Sequence, residues 1–302
     1  MLQLYILTKD RPEQLRIALN SALDQDNEDI EVIVSDNSEE ITTSKMMLDD
    51  FGHVNYIKRT PHLSVNEHSL TVVEEATADF IMLFHDDDIL KKTHVSNILL
   101  KFKQNPSVAA IASNGIFIGD YFLKNKETMN IKNELLIKSA SQLFEHYLGL
   151  HPSGISNAPL SGYIYSTSIL KKVLNKNYVM QCGKYSDIQV YTKVLNYGHI
   201  LWLPTPTLYY RIHSNQDSSK ESIYDRNKLL YFMRKHGIDL KSTSVRYFKF
   251  MYLFRWWKRG NKGIFRIPRG IKEKTIAKFL FLSLLYLCFS NITFWKKIFR
   301  LM

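Results

Sequence analysis

Asp79-Phe80-Ile81-Met82-Leu83-Phe84-His85-Asp86-Asp87-Asp88-Ile89-Leu90 is the stretch whose reading decides the fold. Phe80 to Phe84 is an unbroken apolar run, the pattern of a strand covered by helices on both faces. His85 and three consecutive carboxylates stand at its end. Carboxylates packed together repel one another and resist ionisation when buried, so such a cluster needs positive charge among it. A divalent metal that grips a pyrophosphate meets that need, since hard cations take carboxylate and phosphate oxygens together. In open α/β sheets ligands bind beyond the carboxyl ends of strands, which is where this cluster falls. Three acids taken alone also fit a solvated turn ahead of the next helix.

Working outward, Leu2 to Leu7 reads as the first strand and Thr8-Lys9-Asp10-Arg11-Pro12-Glu13 as the loop that opens a helix. Asp10 is the expected N-cap, with Pro12 and Glu13 in the first turn. Leu15, Ala18, Leu19 and Ala22 recur at helical spacing and face the sheet. Ile30 to Val34 makes a second strand, ending in Ser35-Asp36-Asn37-Ser38, and Val54 to Ile57 a third. Ser64 with Glu67 forms a capping box for a helix running to about Ala78. Strands alternating with helices predict βαβ units and a mostly parallel central sheet flanked by helices. Thr8, Asp10, Arg11, Asp36 and the acidic triplet then meet at one edge of that sheet. No Gly-x-Gly-x-x-Gly or Gly-x-x-x-x-Gly-Lys loop follows any strand, which removes the dinucleotide and P-loop readings and leaves a metal as the neutraliser of phosphate.

Over roughly residues 1–215 the chain resembles the family 2 glycosyltransferases, which have the GT-A fold. Leu4-Tyr5-Ile6-Leu7-Thr8-Lys9-Asp10-Arg11-Pro12 is similar to the family's opening strand and nucleotide loop. Val34-Ser35-Asp36-Asn37-Ser38 is similar to its second-strand motif, whose central acid contacts the nucleobase. Leu83-Phe84-His85-Asp86-Asp87-Asp88 looks like its DxD metal motif, with His85 in place of the first acid. The resemblance implies that Asp87 binds metal, with Asp88 beside it, and that Asp86 lies near ribose or diphosphate. Tyr185-Ser186-Asp187-Ile188 resembles the segment whose Asp is the general base of inverting transfer, although Ser186 replaces the usual Glu. Asp187 suits two roles: a carboxylate base is favoured at a helix start, and Asp is equally a favoured cap there. Tyr209-Tyr210-Arg211-Ile212-His213 looks like the element whose His approaches metal or diphosphate, which makes His213 a third metal candidate. Imidazole suits Mn²⁺ better than Mg²⁺.

Between these motifs Thr93 to Gln104 reads as an amphipathic helix and Val108 to Ser113 as a buried strand. Pro152 to Pro159 is turn-rich, either an acceptor-pocket loop or an ordinary surface loop, followed by the acceptor candidates Gly162 and Tyr163.

At 302 residues, 45% hydrophobic and 23% charged, the chain has the composition of a globular protein and not of a disordered one. Cys182 and Cys288 lie far apart without ligand spacing, as expected of a reducing compartment. Leu2 already reads as core strand, and no basic stretch followed by an apolar one precedes it, so the expected location is cytoplasmic. The net charge of +11 is unevenly spread. Residues 241–302 hold 15 Lys/Arg against Glu273 alone, whereas 1–240 hold 25 basic and 28 acidic residues. Phe248 to Trp257 is crowded with aromatics, and Phe279 to Trp295 is a 17-residue stretch without formal charge between Lys278 and Lys296. That predicts two units: a GT-A domain over 1–240 and a basic, aromatic helical extension over 241–302. The extension fits a helix lying on an anionic membrane surface, on the inner face of the cell membrane. Packing as a subdomain or dimer surface is the alternative; nucleic acid is not an expected partner, because Phe279 to Phe289 has no charge to meet phosphates.

The resemblance therefore implies a metal-dependent inverting transferase, with Mn²⁺ or Mg²⁺ as cofactor. It moves one sugar from a nucleotide diphosphate-sugar to an acceptor hydroxyl, on a glycan or lipid-linked glycan for surface polysaccharide. Tyr252 stands where processive members have Gln ahead of Arg255-Trp256, which implies single additions. A nucleotidyltransferase, a non-catalytic carbohydrate-binding protein and a retaining transferase are the competing readings. The first of these lacks its Gly-rich loop here.

Overall fold

The structure, a computed structural model, describes residues 1–119, 125–147, 157–213, 223–239 and 245. Apart from Val245, the whole basic extension lies outside the described residues, as do 152–156 of the turn-rich stretch.

The first half alternates strand and helix as expected, with one helix, α2, that the sequence reading did not name. It comprises β1 (Leu2–Thr8), α1 (Pro12–Leu23), β2 (Ile30–Asp36), α2 (Thr42–Asp50), β3 (Asn55–Lys58), α3 (Val65–Glu75) and β4 (Phe80–His85). β5 (Ile89–Leu90), α4 (His94–Gln104), β6 (Val108–Gly119), β7 (Leu135–Ile137) and α5 (Ala140–Tyr147) follow. The remainder is β8 (Tyr163–Ser166), α6 (Thr167–Val173), α7 (Ser186–Val194), β9 (His199–Ile212) and α8 (Ile223–Lys235).

Among the described residues the sheet has nine strands, in the order β3-β2-β1-β4-β8-β6-β9-β5, with β7 paired to β9. The parallel βαβ reading holds for β3, β2, β1 and β4. Beyond β4 the sheet is mixed. β8 enters antiparallel to both β4 and β6, β9 runs parallel to β6, and β5 and β7 lie antiparallel to β9. An antiparallel partner is set by pairing far along the chain, which apolar periodicity does not report.

Both faces of the sheet are covered. Leu4, Ile6, Met82 and Phe84 pack on one side against Leu15 and Leu19 of α1, Met46 and Met47 of α2, and Ile98 and Phe102 of α4. Tyr5, Ile81 and Leu83 alternate to the other side, against Val72 and Val73 of α3, Leu170 of α6, Ile188 of α7 and Phe232 of α8. Successive strand residues point to opposite faces, so the run Phe80 to Phe84 feeds both cores at once.

Local signals are realised with one exception. Ser64 Oγ accepts from Glu67 N and Glu67 Oε2 from Ser64 N, the expected capping box, and α3 ends at Glu75. Asp10 is not the cap of α1. Arg11 occupies that position without a side-chain cap, and Asp10 sits at φ +54° with its carboxylate accepting Glu39 N at 2.9 Å across the sheet edge. Left-handed backbone is tolerated by Asp, and here it turns the side chain away from its own helix.

β6 runs past its predicted end because a bulge lets it continue. The register with β9 shifts at Ser113–Asn114 and Asn114–Gly115. Asn114, fully buried, fills the irregularity: Nδ2 donates to Glu127, Met129 O and Pro204 O, and Oδ1 accepts from Gly115 N, Thr128 Oγ1 and Met129 N. Removing that amide strands several buried main-chain groups, each worth about 1–3 kcal/mol. Asn114→Ala is therefore expected to lower unfolding stability by about 2–4 kcal/mol, measured by urea denaturation; a loss under 0.5 kcal/mol overturns this account.

Candidate functional site

The parallel register sets the site. Thr8 of β1 lies level with Asp36 of β2, Asp36 with Lys58 of β3, and Leu7 with His85 of β4. Four strand ends thus deliver a hydroxyl, a carboxylate, an ammonium and an imidazole to one edge, where the sequence reading placed Thr8, Asp36 and the acidic triplet but not Lys58.

The acidic triplet divides between two sets of partners. Asp86, 4% exposed, accepts from Thr8 Oγ1 at 2.8 Å and from Arg11 Nη1 at 3.2 Å. Burial raises its pKa; the Thr8 hydrogen bond and the Arg11 charge oppose the shift without cancelling it. Asp87 Oδ2 meets Arg11 Nη1 at 3.4 Å and His213 Nε2 at 3.0 Å. Asp88 is 1% exposed, and its Oδ1 accepts Arg211 N at 2.8 Å. Its Oδ2 is buried with no partner of hydrogen-bond geometry among the described residues, although the Ser161 hydroxyl is near enough to favour ionisation. Burial and the neighbouring Asp87 charge hold the Asp88 pKa well above the ordinary range.

A two-residue strand closes this cluster. β5 pairs antiparallel with β9, Ile89 opposite Tyr209 and Leu90 opposite Leu208, and Arg211 Nε donates to Asp87 O at 2.9 Å. The motif around His213 is thereby clamped onto the triplet. Donor atoms of His85, Asp87 and Asp88 lie within 4.8 Å of one another. Ligand distances of about 2.0–2.6 Å put two donors on a shared cation up to about 5 Å apart, so this set and its unsatisfied Asp88 oxygen fit a divalent ion.

Asp36 is fully buried and already satisfied. Oδ1 accepts Ser38 N at 2.7 Å; Oδ2 accepts the Tyr56 hydroxyl at 2.6 Å and Lys58 Nζ at 3.0 Å. Burial acts to raise its pKa, but the hydrogen bonds from Ser38, Tyr56 and Lys58 outweigh it and the net shift is downward. Sequence reading named Asp36 but not Tyr56 or Lys58. Alternation along Asn55–Lys58 was the available signal, since it puts both side chains of a short edge strand on one face.

Asp187 lies inside the first turn of α7; Tyr185 holds the cap position, so the N-cap alternative is not realised. Asp187 Oδ1 accepts Ile188 N at 2.8 Å and the Tyr147 hydroxyl at 3.3 Å. The residue keeps an edge to solvent, yet burial of the carboxylate pushes its pKa up to about 6, against those two hydrogen bonds. Tyr210 connects it with the acidic triplet: burial first, then the charges of Asp88, Asp87 and Asp187, raise the pKa of its hydroxyl. Tyr163, an acceptor candidate in sequence, is instead core. It is fully buried, stacks on Tyr191 with ring centroids 4.4 Å apart, and accepts Trp202 Nε1 at 2.8 Å. Gly162 is a close-packing position, where a Cβ would stand 3.1 Å from Ser113 O.

The sequence matches the profile of Glycosyl transferase family 2 over residues 4–174. No protein of curated function matches it. Among solved structures, residues 1–349 of TarS from S. aureus in complex with UDP-GlcNAc align with a TM-score of 0.60 at 14% identity, covering 86% of this chain and 74% of that one. The UDP complex of the same protein gives a TM-score of 0.57 at 13% identity, with 92% and 77% covered. A longer TarS structure gives a TM-score of 0.54 at 12% identity; 85% of this chain aligns with 43% of that chain, less than half its length. The fold is that of the GT-A glycosyltransferases. More particularly, the chain belongs to glycosyl transferase family 2.

The Asp187 carboxylate makes a pH-dependent stability difference. Its folded pKa, about 6, lies above the ordinary 3.8, so ionisation is disfavoured in the fold. The penalty is absent below pH 4, grows between the two values and is complete above 6. Asp187→Asn, which keeps an acceptor for Ile188 N, is expected to leave stability unchanged near pH 4 and to raise it by about 1–3 kcal/mol at pH 8. Denaturation curves at the two pH values check this; equal effects at both contradict the shift.

Proposed function

We infer that the chain transfers a single sugar from a nucleotide diphosphate-sugar to an acceptor hydroxyl with inversion at the anomeric carbon. The observation that carries this reading is the buried, half-partnered Asp88 within reach of Asp87 and a histidine, at the strand ends where family 2 chains hold a donor diphosphate. Thr8, Asp10, Arg11, Asp36 and Asp86 form the donor side. Arg11 already spans Asp86 and Asp87, so its guanidinium is positioned to meet a phosphate oxygen. Asp10 ties the first loop to the loop after β2 and so fixes where a nucleoside rests. TarS, whose fold is shared, is known in complex with UDP-GlcNAc, and a donor of that chemical class fits this edge. Asp87 and Asp88 are assigned to a divalent cation, Mn²⁺ or Mg²⁺, whose charge would stabilise the departing diphosphate when bound, with His213 held beside it against Asp87 at 3.0 Å.

Asp187 takes the proton of the acceptor hydroxyl as that oxygen forms its bond to the anomeric carbon. The bond to phosphate oxygen breaks on the opposite face, and its electron pair leaves with the diphosphate. A pKa of about 6 suits a base that is ionised at neutral pH yet still accepts a proton. A glycan or lipid-linked glycan acceptor is proposed on the strength of the cationic 241–302 extension, as a unit that holds the 1–240 domain at an anionic membrane surface. Among the described residues no helix is long and apolar enough to cross a membrane.

The turnover test uses a panel of nucleotide-sugars with the full chain, followed by the anomeric configuration of the product. Asp187→Asn is expected to lower kcat by about 10²–10⁴ while nucleotide affinity stays within twofold. In the wild type, kcat is expected to fall tenfold per pH unit below about 6. Product with retained configuration would overturn the base assignment and favour the retaining reading. For the extension, the full chain is expected to pellet with vesicles of anionic lipid and not of neutral lipid, and to release at high salt.

A further inference from the structure

We propose that His85 is a nitrogen donor to the cation of this site and tilts it toward Mn²⁺ over Mg²⁺. The proposal rests on the metal-assisted reading just given and adds the residue that the resemblance left without a role.

The triplet does not present three equivalent acids. Asp86 is turned to Thr8 and Arg11, its two oxygens occupied at 2.8 and 3.2 Å. That leaves His85, Asp87 and Asp88 as the group with mutually close donor atoms. The His85 backbone is fixed at the end of β4, level with Leu7, and its N–H donates to Ser161 Oγ at 3.3 Å. Its imidazole, half-buried, makes no hydrogen bond to any described residue. The adjoining Asp88 has one oxygen buried without a partner of hydrogen-bond geometry, with only the Ser161 hydroxyl near it. A ring nitrogen open to one side and a buried, under-satisfied carboxylate oxygen lie close enough to share a cation between them.

The chemistry of the donor set then selects among cations. Mg²⁺ demands oxygen ligands and gives up water reluctantly, whereas imidazole suits the first-row transition ions. An acid at position 85 would make an all-oxygen set with a third negative charge; the imidazole removes that charge and supplies a softer donor. His213 contacts Asp87 at 3.0 Å from the opposite strand and lies outside the closest group. The assignment of the nitrogen ligand to His85 and not to His213 is therefore open to direct measurement.

The test is Mn²⁺ added to the full chain with and without UDP, read by electron spin echo modulation from a coordinated imidazole nitrogen. Displacement of bound Mn²⁺ by Mg²⁺ supplies the preference. The proposal expects nitrogen modulation in the wild type, its loss in His85→Gln and its survival in His213→Gln. It also expects His85→Asp, which restores an acid and guards against a folding defect, to bind Mn²⁺ without nitrogen modulation and with a Mn²⁺/Mg²⁺ preference lowered about tenfold. Modulation unchanged in both position-85 variants, or lost only in His213→Gln, overturns this inference and leaves the metal-assisted reading standing. Failure of the wild type to bind Mn²⁺ at all, or equal binding by Asp87→Asn, overturns both.

Discussion

A single hydrogen bond, donated by the main-chain Arg211 N to the carboxylate Asp88 Oδ1 at 2.8 Å across 123 residues of sequence, is the constraint on which the rest of the site depends. Antiparallel pairing of β5 with β9 brings the two segments level, and the Arg211 guanidinium reinforces it at Asp87 O. Asp88 is thereby held in the protein interior with one oxygen satisfied and the other not. Leaving a carboxylate oxygen so placed is costly, and structures retain such costs where they serve function. The two cores explain how the fold tolerates it: β4 is anchored by side chains on both faces immediately before the chain turns polar.

The parallel half of the sheet was legible where β1, β2 and β4 are apolar runs and where α1 and α3 announce themselves by spacing or by a capping box; α2, without a side-chain cap, was not read. Leu2 to Leu7, Ile30 to Val34 and Phe80 to Phe84 fell within a residue or two of β1, β2 and β4. The mixed half was less legible. β7 and β8 are three and four residues long, too short for periodicity to speak, and β6 outlasts its prediction because Asn114 repairs a bulge that no local rule foresees. Asp10 failed as a cap since the fold needs a left-handed residue there more than it needs the cap.

Of the site, the residue types were readable and their pairings were not. Asp86, Asp87 and Asp88 are contiguous in sequence, yet they answer to different partners, Thr8 and Arg11 on one side, Arg211 and His213 on the other. Those partners come from β1 and β9 and from the residues just past their ends, and only the sheet order reveals which acid meets which. Asp187 shows the same limit. Its place at the helix start was foreseeable, whereas the burial that pushes its pKa up to about 6, and the Tyr147 hydroxyl that α5 brings against it, depend on packing between elements.

The burial of Asp36 has a consequence under the proposed donor assignment. Its carboxylate is fully buried and held by Ser38, Tyr56 and Lys58. A base that docked on it would have to trade places with the phenol or the ammonium, and the trade would be near neutral only for a donor group of matching position. Selection there would be an exchange reaction in which the wrong base is refused for want of anything to offer, with no clash required.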